Sequence, residues 1–438
     1  MAAGACLAGI SLSAPLGAET LLEVFQLARQ NDPKFRAAQF DAQASGTAID
    51  QARAGFLPTA RFEMDKVETR QRILSSKNPI FGAGVTTFPT DTYTLSVTQP
   101  LFRKDVIERF AQAKAVVRQS QYTLLAAEQD MLLRTTAAYL AVLAASDNVA
   151  LTTAERQAVG RALELARERL QMGLGTITNL HDASARHAVT QAREIEAGSK
   201  LNDARQALRE IIGRQIDRAQ TLRTDFVPVP PQPAAQESWI ETARAQNLTL
   251  KARAEAVEVA RQEIERQRAG HYPSLNLLLS HNRRDAGSTL FGGGSSVETT
   301  DLTLRLNVPL FEGGLTSAVT QEAVHREQKA REELELERRA VERAVRAAFE
   351  GALSGQRLVQ ALQQSVASQA SAVEAKEQAL KVGLLTLLPV LDARRDLFLA
   401  RRDYAQARYD YLINSLKLKQ AAGTLAELDL QRVAAALQ

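Results

Sequence analysis

Asp301-Leu302-Thr303-Leu304-Arg305-Leu306-Asn307-Val308-Pro309-Leu310-Phe311-Glu312-Gly313-Gly314 contains a predicted strand, a break and the start of a long helix. Its apolar residues fall on every second position, which is the period of a β-strand with one apolar and one polar face; they are Leu302, Leu304, Leu306 and Val308. A proline then ends the strand, and two glycines allow the chain to turn. The following residues lack proline and show helical apolar spacing to about Leu380.

The same order of features occurs about 210 residues earlier. Tyr93–Phe102 alternates, closes with Pro-Leu-Phe and leads into another long helical run. The same offset relates Gly173-Leu174-Gly175-Thr176 to Gly383-Leu384-Leu385-Thr386. A slightly larger offset relates Ala54–Pro58 to Ala269–Pro273, both of which read Ala-Gly-x-x-Pro. We interpret the chain as a tandem duplication.

Each repeat is predicted to join a two-stranded hairpin to a long antiparallel helical hairpin. The first repeat spans 19–221, with strands at about 58–70 and 91–99, a loop at about 70–89, and helices at about 103–172 and 179–212. The second spans 238–423, with strands at about 273–283 and 300–308, and helices at about 315–380 and 388–422. Apolar spacing near 3.5 in the long helices indicates coiled-coil packing. A proline-rich linker, 222–237, and a tail, 424–438, complete the chain.

Composition excludes several classes of function. The 54 basic and 50 acidic residues are interleaved, so no basic face accumulates and nucleic-acid binding is not expected. Residues 1–18 are small and apolar and predict a signal peptide, although its usual basic start is missing. Cys6, the single cysteine, lies in that segment, where Ala3-Gly4-Ala5 makes a poor lipidation signal. The mature chain is therefore expected to lack thiol chemistry.

The sequence offers no site for catalysis, a cofactor or a metal. His181 and His187 are six residues apart and fall on different faces of a helix. No cluster of nucleophile, acid and base can be assembled, so no enzyme is expected. Neither glycine-rich segment, Phe81–Gly84 or Phe291–Gly294, is followed by the Lys-Ser or Lys-Thr of a nucleotide-binding loop.

Four alternating strands of about ten residues are long enough to cross a bilayer when tilted, and the chain has no run of 18 or more apolar residues. Open strand edges are costly in lipid, and four strands cannot close a barrel. Several chains would then have to share one barrel. The alternative is a soluble coiled-coil scaffold protein decorated with hairpins. The repeated junction of strand hairpin and coiled coil favours the membrane interpretation.

Taken together and in order, the duplicated motifs resemble those of the TolC family of outer-membrane export channels. They are the Ala-Gly-x-x-Pro and Pro-Leu-Phe pairs, Glu312-Gly313-Gly314, Gly383 to Asp392, and Ala407 to Asn414. The resemblance implies a mainly α fold with a membrane β-barrel part, formed by a homotrimer in the outer membrane with a periplasmic helical tunnel. It also implies a periplasmic adaptor and an inner-membrane ABC or proton-driven transporter as partners.

The resemblance leaves two uses open, protein secretion and efflux of small toxic molecules, and the C-terminal return helix looks closer to the secretion branch. Outer-membrane lipid is expected to contact Leu302, Leu304, Leu306 and Val308, with the intervening polar residues facing the lumen. The adaptor is expected to contact the two helical turns, whose simpler interpretation is plain helix capping; the residues concerned are Gly173, Leu174, Gly175, Thr176, Gly383, Leu384 and Thr386.

The tip gate departs from the family pattern. Leu380 and Leu385 stand where the family has Tyr and Arg, Asn179 stands for an Asp, and Pro389 stands for the first acidic ring. Asp392 matches the second ring, and the repeat offset pairs it with Asp182. A ring of these carboxylates would attract cations, and leucine contacts would close the tip. Alternatively, both aspartates only favour the positive ends of their helices.

Overall fold

A computed structural model describes residues 19–75, 84–216, 219–288 and 293–438. The predicted signal peptide with Cys6 lies outside these residues, as do 81–83 of the first glycine-rich segment and 291–292 of the second. The chain divides into two compact units. The first unit contains the chain up to Gln39, Leu124–Leu250 and Arg338–Gln438, and the second contains Phe40–Thr123 and Lys251–Glu337.

The second unit contains a four-stranded antiparallel sheet of order β1-β2-β3-β4. Its strands are β1 Thr59–Ile73, β2 Gly84–Phe102, β3 Ser274–Ala286 and β4 Ser295–Asn307. Strands β1 and β4 form the two edges of the sheet within this chain. Each repeat supplies one hairpin, and the central ladder between β2 and β3 joins the repeats.

The helices follow the predicted pattern of long hairpins preceded by short helices. They are α1 Leu21–Asn31, α2 Pro33–Gly46, α3 Ala48–Ala54, α4 Lys104–Gln171, α5 Ile177–Ile212, α6 Gln236–Gln246, α7 Leu248–Arg268, α8 Leu315–Lys381, α9 Leu387–Ala422 and α10 Glu427–Ala435. Thr20 begins α1 with a capping box, because its side chain accepts from the Glu23 N–H while the Glu23 carboxylate accepts from the Thr20 N–H.

Several predicted boundaries are wrong. The expected loop at 70–89 is partly strand, because Ile73 pairs with Gly84 and the ladder continues from there. Pro89 was a reason to predict a loop, yet it lies in β2, where its carbonyl accepts a hydrogen bond from the Gly287 N–H at 2.8 Å. Strand β4 starts at Ser295, earlier than predicted, and ends at Asn307, so Val308 follows the strand.

The predicted tail is a folded part of the first unit. Helix α10 buries Leu430 and Val433 in the same core as Leu21 and Phe25 of α1. The sequence does not predict this packing, because α1 and α10 are far apart in the chain and no local pattern links them. The predicted linker 222–237 also ends early, since α6 begins at Gln236.

Among the described residues, α4 is the one helix long and apolar enough to cross a membrane by length and composition alone. Three of its side chains, Met131, Tyr139 and Leu140, are fully buried in the core of the first unit. Packing within that unit therefore accounts for part of the apolar character of α4.

Candidate functional site

The turn after α4 and the turn after α8 have the same backbone geometry. Gly173 and Gly383 adopt left-handed conformations, with φ of 71° and 78°. In each turn two N–H groups bond back to the helix: the N–H of Leu174 to the Arg169 carbonyl at 2.8 Å, and that of Leu384 to the Ala379 carbonyl at 2.8 Å, each beside a bond from the glycine. This is the Schellman arrangement, in which a residue without a Cβ is strongly favoured.

The helices after the two turns begin differently. The Thr176 hydroxyl accepts from the Asn179 N–H at 3.2 Å and caps α5. Thr386 occupies the same place before α9, but its side chain makes no capping bond. The reason is Pro389, which stands where Asn179 stands in α5 and has no N–H to donate.

Each turn exposes several apolar side chains, and the leucine that directly follows the left-handed glycine is the most exposed of them. Leu174 is 76% exposed and Leu384 is 78% exposed in this chain. Both follow the left-handed glycine directly, so the turn itself aims them away from the helices. An apolar side chain exposed at a rigid turn is suited to contact with another protein.

Behind the turns, the two helical hairpins pack through small and aliphatic side chains of the first unit. The members of this cluster are Ala162, Leu163, Ala166, Ala183, Leu380, Leu387 and Leu391. Leu380 packs against the cluster, whereas Leu385 lies in the turn and is exposed. Within this single chain the two leucines therefore have different environments.

Asp392 lies in an ionic network that joins the hairpins. Its Oδ1 lies 2.5 Å from Arg186 Nη2 on α5 and 3.5 Å from Arg395 Nη1 one turn along α9. Arg395 also bonds Asp396 at 2.7 Å. The Asp392 carboxylate is thus balanced by two guanidinium groups rather than standing alone, and no motif in the sequence marks either partner.

A second ionic contact links three helices beside this network. Arg394 of α9 bonds Glu377 of α8 at 2.6 Å, and it donates to the Ala158 carbonyl of α4 at 3.4 Å. Nearby, Glu155 is almost fully buried and lies 3.4 Å from Arg193. Burial raises the pKa of the Glu155 carboxyl, and Arg193 opposes that rise. Asp182 and Asn179, on α5, are partly buried.

In the second unit one face of the sheet carries a broad apolar region, because the strand registers place apolar residues opposite each other. One row of cross-strand neighbours is Ala60, Val97, Leu279 and Leu302. The rows beside it pair Phe62 with Leu95, Leu277 with Leu304 and Leu275 with Leu306, and they also contain Gln99 opposite Leu277 and His281 opposite Leu95. These side chains are largely unburied, with Leu302 70% and Leu306 63% exposed. The predicted lipid-facing leucines of β4 therefore belong to a wide exposed apolar surface.

The other face of the sheet is polar. Alternate residues of β1 and β4 are Arg61, Glu63 and Asp65, and Thr303, Arg305 and Asn307. Asn282 donates to the Thr94 hydroxyl at 3.1 Å on this face. This division suits a sheet whose polar face contacts water and whose apolar face contacts hydrocarbon.

A strand hairpin joined to a long helical hairpin, repeated within one chain and carrying an exposed apolar sheet face, defines a channel-forming protein of the outer membrane. The sequence pattern of the family described as "Outer membrane efflux protein" matches residues 24–214 and 239–424, one match in each repeat. The chain belongs to this family, which confirms the predicted fold class and the tandem duplication.

Relatives agree over nearly the whole length. Outer membrane protein TolC of Vibrio cholerae is 32% identical over 98% of this chain and 96% of its own. The alkaline protease secretion protein AprF of Pseudomonas aeruginosa is 30% identical over 95% of this chain and 86% of its own. The Campylobacter jejuni CmeC outer membrane channel has the same fold, with a TM-score of 0.79 at 15% identity over 100% of this chain and 98% of that one. The protein is therefore an outer-membrane export channel, and the soluble scaffold alternative is not favoured.

Proposed function

We propose that three copies of this chain form one closed barrel and export protein cargo delivered by an inner-membrane ABC transporter through a periplasmic adaptor. The observation that carries the proposal is the sheet, which has an apolar region on one face and two edges, β1 and β4, for which the described residues supply no partner strand. Unpaired backbone groups in hydrocarbon cost several kcal/mol each. Three sheets of four strands would give a barrel of twelve strands, in which every edge is paired.

The two repeats use one register, which allows the pairing between copies to be derived. Thr59 pairs with Thr98 in the first repeat, and Ser274 pairs with Asn307 in the second. Thr59 and Ser274 each directly follow the proline of Ala-Gly-x-x-Pro. Thr98 and Asn307 each lie two residues before the proline of Pro-Leu-Phe. Counted from these motifs, the two hairpins therefore share one register, although β1 has 15 residues and β3 has 13.

The same correspondence extends the ladder between repeats to a ladder between copies. Thr98 of β2 lies opposite Leu278 of β3. The counterpart of Thr98 is Asn307, and the counterpart of Leu278 is Glu63, because each follows its motif proline by five residues. Asn307 of one copy should lie opposite Glu63 of the next. This register also brings Val308 opposite Phe62 on the apolar face.

Cysteine cross-linking tests this arrangement in a Cys6→Ser background. Antiparallel neighbours have Cα atoms about 4.5–5.5 Å apart, which suits a disulfide. Asn307→Cys with Glu63→Cys should give cross-linked dimers and trimers on a non-reducing gel. Asn307→Cys with Asp65→Cys, shifted by two residues on the same face, is the matched control and should not. Efficient cross-linking of the control pair alone would refute the proposed register, and cross-linking of neither pair in membranes would refute the proposed trimer.

The adaptor is proposed to contact the two turns at Gly173 and Gly383. Two observations support this contact: the Schellman geometry that the turns share, and the exposure of Leu174 and Leu384. The proposed contact set also includes Gly175, Thr176 and Thr386.

Protein cargo is supported by the similarity to AprF, a protein whose name refers to protease secretion. Loss of this chain from its bacterium should retain one or more secreted proteins in the cell, and restoring the chain should release them. Unchanged secretion together with greater sensitivity to small toxic molecules would favour efflux instead.

A further inference from the structure

A cavity of about 410 Å³ lies in the first unit beneath the proline-rich segment at 226–232. The proposed export function gives this cavity no role. Its volume falls in the range of roughly 300–1000 Å³ typical of small-molecule sites.

The walls of the cavity are mostly apolar and aromatic. Phe226 comes from the proline-rich segment, Trp239 from α6, Tyr411 and Leu416 from α9, and Val433 from α10. Ala352 of α8 also lines the cavity, so five separate parts of the chain converge on one space. A planar or aliphatic body would be well accommodated there.

Hydrogen bonds fix the segment over the cavity, so the space is formed before any ligand arrives. The Tyr411 hydroxyl accepts from the Val229 N–H at 3.0 Å and donates to the Val229 carbonyl at 2.5 Å. The Trp239 indole N–H donates to the Pro233 carbonyl at 2.9 Å. A preformed site loses less conformational entropy on binding.

Charge at one end of the cavity is unbalanced. Lys419 and Arg432 both line it and both contact the single carboxylate of Asp429, Arg432 at 3.4 Å. Asp429 also accepts the Ala426 N–H at 3.2 Å, which begins α10. Two cations share one anion, which leaves one positive charge beside an apolar space.

We propose that this cavity binds a small amphiphile with an aromatic or short alkyl body and one carboxylate. The body would pack against Trp239 and Phe226, and the carboxylate would contact Arg432, whose side chain is 66% exposed and can turn toward it. A charge-assisted hydrogen bond of this kind discriminates strongly against neutral and cationic analogues.

The tryptophan provides a direct readout, because Trp239 is the single tryptophan of the chain and lines the cavity. The full-length protein in lipid nanodiscs is titrated with 4-bromobenzoate, whose bromine quenches indole fluorescence on contact. The matched probes are 4-bromobenzyl alcohol and 4-bromobenzylamine. Saturable quenching by the carboxylate is expected, at least tenfold tighter than by the alcohol.

Three variants separate the cavity from general partitioning into lipid. Arg432→Gln removes one cation and leaves the Lys419–Asp429 pair, so binding of 4-bromobenzoate should weaken about tenfold. Ser415→Leu fills space in the lining and should abolish saturable quenching, whereas Lys417→Gln alters an exposed lysine outside the lining and should change nothing. Equal, non-saturable quenching by all three probes, or quenching unaffected by the first two variants, would overturn the proposal. A Trp239 that acrylamide cannot reach until the assembly is dissociated would do the same, because another copy would then cover the cavity.

Discussion

Arg186 on α5 and Asp392 on α9 are joined by an ion pair of 2.5 Å, although 206 residues separate them in sequence. This ion pair should weaken the attraction of cations to a ring of Asp392 carboxylates. A paired aspartate attracts a passing cation less than an unpaired one, because the neighbouring guanidinium cancels most of its field.

The first prediction concerns cation block of single-channel current. If Asp392 faces the ion path with Asp182 as its repeat counterpart, Arg186→Gln should remove its nearer guanidinium, leave Arg395 at 3.5 Å, and tighten block by multivalent cations severalfold. Adding Asp392→Asn to Arg186→Gln should remove that gain. Identical block in Arg186→Gln and the wild-type channel would show that Asp392 lies away from the path.

The second prediction concerns closure of the tip by apolar contact. Leu385→Ser should raise the basal conductance, because an exposed leucine that meets its equivalents in other copies would lose that contact. Leu380→Ser changes a residue packed within the chain and should lower thermal stability instead. Planar-bilayer recordings paired with thermal unfolding measure both effects, and an unchanged conductance in Leu385→Ser argues against a leucine gate.

The third prediction concerns the adaptor. Leu174→Asp with Leu384→Asp should abolish export while leaving the assembly intact in the membrane, since both side chains are largely exposed within the chain. Leu336→Asp, at another exposed leucine, is the matched control. Normal secretion by the double variant would exclude the turns as the adaptor contact.

The fourth prediction separates the two threonines before the return helices. Thr176→Ala removes a capping bond and should cost about 1 kcal/mol of unfolding free energy. Thr386→Ala removes no such bond, since Pro389 offers no N–H, and should be nearly neutral. Chemical denaturation of both variants checks the difference. Equal losses would mean that the threonines stabilise the helices in some other way.

The fifth prediction concerns alkaline pH. The Tyr139 hydroxyl donates to the Glu19 carbonyl at 2.8 Å and accepts from the Gln220 N–H at 2.9 Å, and burial raises its pKa to about 12. The folded chain thus favours the neutral phenol. Its contribution to stability is complete below pH 10 and is lost as the pH rises toward 12. Tyr139→Phe should flatten this part of the stability profile, and a wild-type slope retained in the variant would assign it to other groups.

Local patterns predict the fold class because the periods of strands and helices are visible in the spacing of apolar residues close together in the sequence. Alternation identified β4, and the glycine at each turn identified the hairpins. The contacts that sequence reasoning missed are distant in the chain. Leu430 packs with Leu21, and Arg186 pairs with Asp392, and neither partner marks the other by spacing.

Residue composition gives the wrong secondary structure where tertiary context overrides local preference. Pro89 favours a loop by composition, but it lies in β2 opposite Glu68 of β1, just before the ladder with β3 begins at Thr90. At the tip, the missing acidic residue at Pro389 was recognised from the family resemblance. The arginines around Asp392 could not be recognised from the sequence, because these helices carry many basic residues and nothing distinguishes the two that contact Asp392.

The register shared by the two hairpins also limits how the gene can change. Insertion of one residue in β1 would reverse the sheet faces on one side of the insertion, and it would do so in the ladder with β2 and in the proposed ladder with the next copy. Selection should eliminate such an insertion, because it would disrupt two ladders at once. Variation in length should therefore accumulate between Ile73 and Gly84 and between Ala286 and Ser295, where added residues leave every described pair of the ladders in register.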